Sequence, residues 1–202
     1  MRRILLAGLF GGLAAFIWGA LSWGVLPFQT AKFADIPDEG LIAESLKARL
    51  TEQAVYHYPS FPPASASAEE EAAWQRRLQT GPVIPMLVYM PSGTKPLPAA
   101  LAGEILFDIA AATVAAWLLS LVLPRLAGFA ARVGFVASLG ILAALATHGS
   151  DWNWGMLPAR YAVISSLDLA IEWLLVGLVL AWRLAPRDTR HTVELRSRST
   201  VA

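Results

Sequence analysis

Cysteine is absent from the chain. Its absence excludes disulfide staples, thiolate metal ligands and cysteine nucleophiles. Histidine is scarce, with three in 202 residues: His57, His148 and His191. No phosphate-binding loop, dinucleotide glycine fingerprint, Gly-x-Ser-x-Gly elbow or His-Glu-x-x-His pattern occurs. The paired glycines Gly11-Gly12 lie inside an apolar run rather than at a strand-to-helix turn. Charge is also thin, at 15% of residues and +1 net. That leaves no broad basic surface for nucleic acid. These absences imply no catalytic residue set, no cofactor and a non-enzymatic protein.

What is present is apolar. Hydrophobic residues make up 56% of the chain, and the mean hydropathy is +0.52, above that of ordinary soluble domains. The hydrophobicity is concentrated in residues 4–26, 101–123, 133–147 and 163–182. A hydrocarbon core about 30 Å thick takes roughly 20 apolar helical residues to cross. The third stretch reaches that length if 126–131 joins it and Arg132 snorkels to the headgroups. The expected fold is a membrane all-α protein, with four transmembrane helices and a small α+β extracytoplasmic insert between helices 1 and 2. The spans are 1–27, 101–123, 127–148 and 163–183, with the insert at 28–100 and a basic tail at 186–202. Met1-Arg2-Arg3 resembles the start of a signal peptide, but the apolar run after it is too long and lacks a small-x-small cleavage site. Helix 1 therefore reads as a retained anchor.

Arginine sets the expected threading. With the N-terminus inside, the inner segments hold Arg2, Arg3, Arg125, Arg132, Arg183, Arg187, Arg190, Arg196 and Arg198, against Asp188 and Glu194. Excess basic charge belongs on the cytoplasmic side. Both termini are expected in the cytoplasm of a bacterial cell, with the protein in its inner membrane. The insert and the loop at 148–162 then face outward.

Within the insert, Asp38 is placed to cap a helix over 39–53, with Ile42, Leu46, Leu50 and Ala54 as its apolar stripe. A strand follows at 55–58. Ser67 and Glu70 form a capping-box signature for a second helix, ended by Gly81-Pro82. A second strand spans 83–90, with Pro85 marking a sheet edge or bulge. About 70 residues make a marginal core when alone, so this module suits either a docking surface or a cap over the bundle.

Two sets of residues stand out in the membrane helices. Gly8, Gly12, Ala15, Gly19 and Ser22 share one face of helix 1, a pattern that permits close helix packing. Gly134 and Ser138 form a shorter strip on the third helix. Glu104 and Asp108 lie four apart on the second helix, as do Asp168 and Glu172 on the fourth. Acids inside a membrane are costly and point to function, so these four form a cation or proton site candidate. Glu104 and Asp168 also sit near helix N-termini, where the dipole favours an acid for structural reasons alone. His148 and Asp151 offer a weaker metal-ligand pair. Trp23, Trp152, Trp154, Tyr161 and Trp182 read as interfacial anchors.

Two patches resemble those of a group of small bacterial four-helix membrane proteins with an extracytoplasmic insert. One is Trp18-Gly-Ala-Leu-Ser-Trp23-Gly-Val-Leu-Pro27. The other runs from Trp152-Asn-Trp154 through Leu157-Pro158, Tyr161 and Asp168 to Trp173, with Gly177 beyond. The resemblance implies the four-crossing layout and singles out Asp168, and it carries no activity. Where that group often has Gly before the tryptophan of the fourth helix, this chain has Glu172. The expected partners are the lipid bilayer and another membrane subunit or a second copy, with no nucleic acid. The function expected from these features is that of an accessory or assembly subunit. The alternative is a cation- or proton-translocating or sensing protein, and a third reading, ranked last, is a membrane enzyme acting on lipid or quinone through His148 and Asp151.

Overall fold

A computed structural model describes residues 1–185. The basic tail at 186–202, with Arg187, Arg190, His191, Arg196 and Arg198, lies outside the described residues. The described chain is mostly helical, with one two-stranded sheet. Helix α1 spans Arg2–Gly24, α2 Glu39–Lys47, α3 Ala68–Thr80, α4 Leu97–Val122 and α5 Phe129–Ala144. A π-helical turn, Leu145–Gly149, joins α5 to α6, Ser150–Asn153, and α7 spans Ala159–Arg183. Strands β1 (Ala54–Tyr58) and β2 (Ile84–Tyr89) pair antiparallel.

Among the described residues, four helical segments are long and apolar enough to cross a membrane: Arg2–Gly24, Leu97–Arg125, Phe129–Asn153 and Ala159–Arg183. Between 22% and 28% of their most apolar stretches is buried within the protein. Many of the large apolar side chains of these helices are exposed, among them Leu106, Phe107, Leu121, Leu142, Leu145 and Trp182. In water such a surface would drive aggregation, whereas in hydrocarbon it is ordinary solvent-facing surface. These dimensions fit a multi-pass membrane protein. The third segment attains its length by two routes. Its helix starts at Phe129, before Arg132, and the π turn carries it on to Asn153.

The chain divides into two compact units. Among the described residues, the first comprises Met1–Leu21, Ala102–Leu142 and 169–185. Its core is built largely from small side chains: Ala7, Ala15, Ala112, Ala115 and Ala116, filled out by Leu119, Val136, Val176 and Leu180. Small residues let helix backbones approach closely, so that dispersion between well-packed atoms holds them in lipid. A methyl built on Gly8 would lie 2.6 Å from the Thr113 Cα, and one on Gly12 would lie 2.5 Å from the Ile109 Cα. α1 and α4 therefore touch backbone to backbone. Thr113 turns its hydroxyl to its own helix, donating to the Ile109 carbonyl at 2.7 Å. This satisfies the hydroxyl within its own helix. Gly140 against Trp173 and Gly177 against Val133 make further close approaches. The Arg3 guanidinium donates to the Ala185 carbonyl at 3.0 Å, and Arg183 lies 4.2 Å from the Phe10 ring centroid. The start of α1 thus lies beside the end of α7, and these two helices run antiparallel.

The second unit comprises Ser22–Leu101 and Ala143–Asp168. Its element order from α2 to β2 is helix, strand, helix, strand. α2 ends at Lys47, six residues before the expected boundary at 53, and Asp38 does not cap it. Asp38 instead takes a left-handed backbone (φ 52°), and its own carbonyl accepts from the Leu41 and Ile42 amides. Leu46 and Leu50 face Tyr56 and Leu87 across a small cavity. The capping box at α3 forms as its residue types dictate. Glu70 N–H donates to Ser67 Oγ at 3.2 Å, and Ser67 N–H donates to Glu70 Oε2 at 2.7 Å. A file of rings, His57, Phe61 and Trp74, ties α3 to β1. Alternation along the sheet leaves Val55, Met86 and Val88 pointing outward, each more than half exposed.

Candidate functional site

The most heavily buried polar group lies in the second unit, where the last turn of α1, the segment after Pro27 and the first half of α7 converge. Ser22 and Gln29 are fully buried, and Ser165 nearly so. Ser22 Oγ donates to Asp168 Oδ1 at 2.7 Å, and Gln29 Nε2 donates to Asp168 Oδ2 at 2.6 Å. Gln29 Nε2 also donates to Ser22 Oγ. The three side chains close a ring in which one amide group uses both its hydrogens and the hydroxyl both gives and accepts. The carboxylate fixes the amide's orientation, because reversing it would set two acceptors face to face. Gln29 Oε1 is then buried and accepts no hydrogen bond from the protein.

Lys32 stands beside this ring, at the end of a short 3₁₀ turn, Thr30–Lys32. Its ammonium donates to Ser165 Oγ at 3.3 Å. It sits 4.7 Å from the Trp23 ring centroid and 5.3 Å from that of Tyr161, a cation–π arrangement. Phe33 closes the aromatic side, edge-on to Tyr161 at 6.0 Å. Burial pulls the Lys32 pKa below the usual lysine value, and the smaller opposing influence of Asp168 raises it. Asp168 is thus the countercharge for a partly desolvated cation.

No family model, curated protein or solved structure matches this chain. The site is therefore read from its chemistry alone. It joins a carboxylate to neutral donors and an ammonium, and holds no imidazole relay that would activate Ser22 as a nucleophile. Its direct physical effect is to pin the Pro27–Lys32 segment to α7.

The four acids singled out by sequence are distributed between the units. Asp168 belongs to the second, whereas Glu104, Asp108 and Glu172 belong to the first. On α4, Glu104 is exposed and Asp108 half-buried. Among the described residues, no three His, Cys, Asp or Glu gather closely enough to hold a metal ion. His148 Nδ1 lies 4.0 Å from Asp151 Oδ2, an electrostatic distance rather than a hydrogen bond. Along the small-residue face of α1, Gly8 and Gly12 meet α4 and Ala15 is buried. Nothing lies within 4 Å of a methyl placed on Gly19 or on Gly134. Ser22, grouped with that face by spacing, is a hydrogen-bonding member of the polar ring. Sequence reasoning passed over Gln29, Lys32 and Ser165. The available signal was a group of polar residues shortly after an apolar helix and near a tryptophan, in a chain with an acid inside another apolar helix.

Proposed function

We propose that this protein is a non-enzymatic accessory or assembly subunit of a complex in the bacterial inner membrane. In this reading both termini are cytoplasmic, and the segment between α1 and α4 is an extracytoplasmic insert that meets the partner. The observation carrying the proposal is the outward face of the two-stranded sheet, where Val55, Met86 and Val88 are 60%, 56% and 57% exposed. A two-stranded sheet is marginal alone, and an uncovered apolar face favours association. The polar ring around Asp168 holds the Pro27–Lys32 segment in place and so fixes where the insert starts. Gentle solubilisation from the native membrane tests the reading. A stoichiometric companion polypeptide, lost in Val55→Lys/Val88→Lys protein, is expected. A lone monomer would overturn it.

A second reading is a cation- or proton-translocating or sensing protein built on Glu104, Asp108, Asp168 and Glu172. It is favoured by Gln29 Oε1, which is buried without a hydrogen-bond partner on the side chain whose amide nitrogen holds the Asp168 carboxylate. Under that reading Asp108→Asn and Asp168→Asn abolish ion-dependent flux in proteoliposomes. Unchanged flux removes it.

A further inference from the structure

A separate cavity of about 320 Å³ opens within the second unit, between the π turn and the first half of α7. His148, Gly149, Trp152, Ala162, Ser166 and Leu167 are among its walls. The surface is almost wholly apolar, and no lysine, arginine, aspartate or glutamate contributes to it. His148 is its one ionisable side chain. The volume falls in the range of small-molecule sites, which pair apolar walls with few polar anchors.

Local structure explains the opening. A π turn contains one more residue than an α turn and is often found at functional sites. Here it includes His148 and Gly149. A methyl on Gly149 would meet nothing within 4 Å, so the wall beside His148 stands open. His148 Nδ1 is buried, and its neighbour is the Asp151 carboxylate at 4.0 Å. An imidazole nitrogen can give or accept a hydrogen bond, according to tautomer.

We infer that this cavity binds a neutral, membrane-dissolved carbonyl compound of the quinone class, with its apolar ring between Trp152 and Leu167 and one oxygen hydrogen-bonded to His148. The lining chemistry separates this from a phospholipid. A phosphate headgroup calls for a cation or several donors, which these walls lack, and a bare acyl chain has no use for an imidazole. The inference stands independently of the accessory-subunit reading, because it uses none of the sheet-face residues.

Photolabelling of the full-length protein in nanodiscs with an azido-benzoquinone tests it, with decyl-benzoquinone as competitor and peptide mapping as readout. Label is expected within residues 148–167 and should be displaced by the competitor. His148→Leu should raise the competitor concentration needed roughly tenfold, the worth of about one hydrogen bond. Gly149→Leu, whose added Cβ would meet nothing within 4 Å, should block labelling of that segment. Label spread over lipid-facing helices and undisplaced by the quinone would overturn the inference. So would displacement by added phosphatidylglycerol rather than by quinone, or labelling that both variants leave intact.

Discussion

Ser22, near the end of α1, donates a 2.7 Å hydrogen bond to Asp168 of α7, across 146 positions of chain. Each is polar within an apolar stretch, and each satisfies the other. Hydrogen bonds to a charged acceptor are stronger than neutral ones, and removing one partner leaves the other buried and short of a bond. Ser22→Ala is therefore expected to destabilise the protein by roughly 1–3 kcal/mol. Asp168→Asn should cost a similar amount. The two losses should be less than additive in thermal unfolding in nanodiscs, with a coupling of about 0.5–3 kcal/mol. Additive losses would show that the pair is not linked.

The glycines of α1 differ sharply in what surrounds them. At Gly8 an added methyl would lie 2.6 Å from the Thr113 Cα and at Gly12 2.5 Å from the Ile109 Cα, and neither contact can be relieved by turning a side chain. Gly8→Ala and Gly12→Ala should each cost about 1–3 kcal/mol through overpacking. Gly19 faces open space, so Gly19→Ala should be neutral, or stabilising by under about 1 kcal/mol through helix propensity. Unfolding titrations of the three variants in mixed micelles measure this. Equal losses at all three would contradict the contact geometry.

That contrast indicates how much of the fold could be read from residue order. Apolar length alone locates the four long helices, because a membrane-sized helix is a one-dimensional requirement. The Ser67–Glu70 capping box is equally local and forms as its residue types dictate. Asp38 fails as a cap because the backbone around it takes a left-handed turn, which residue type alone does not specify. Spacing placed Ser22 with the glycines, since periodicity reports a face and not what the face meets. Gln29 and Lys32 were missed for the same reason: their partners, Asp168 and Ser165, are more than 130 positions away. Long-range polar pairing leaves no periodic trace in a single chain.

Acid should loosen the start of α3. The Ser67 amide and hydroxyl hold the Glu70 carboxyl below its ordinary value. A carboxyl with a depressed folded pKa contributes stability above its unfolded pKa, and that contribution is lost as pH falls through the folded value. The cap should thus be intact at neutral pH and open as pH drops below the usual glutamate range. Hydrogen exchange at the Ser67 and Glu70 amides, followed from pH 6 downward, reports it. Ser67→Ala removes the acceptor of the Glu70 amide, so that amide's protection relative to its intrinsic exchange rate should be low at every pH, at a cost of roughly 1 kcal/mol. Exchange insensitive to both pH and substitution would show that the box contributes nothing.

Lys32 should give a trend of the same sign, at the alkaline end. Burial lowers its pKa from 10.5, and the Asp168 carboxylate offsets this only in part. Between the lowered value and 10.5 the unfolded chain binds more protons than the folded one, so stability rises with pH across that window. Below it, both states carry the charge and the folded state bears the full desolvation cost. Lys32→Met keeps the apolar stem and removes the ammonium. Its melting temperature at pH 7 should equal or exceed that of the wild type, and the advantage should shrink as pH climbs toward 10.5. Taking the difference between the two proteins cancels the titration of tyrosines elsewhere. A variant clearly less stable at pH 7 would instead mean that the aromatic contacts and Asp168 outweigh the cost of burying the charge.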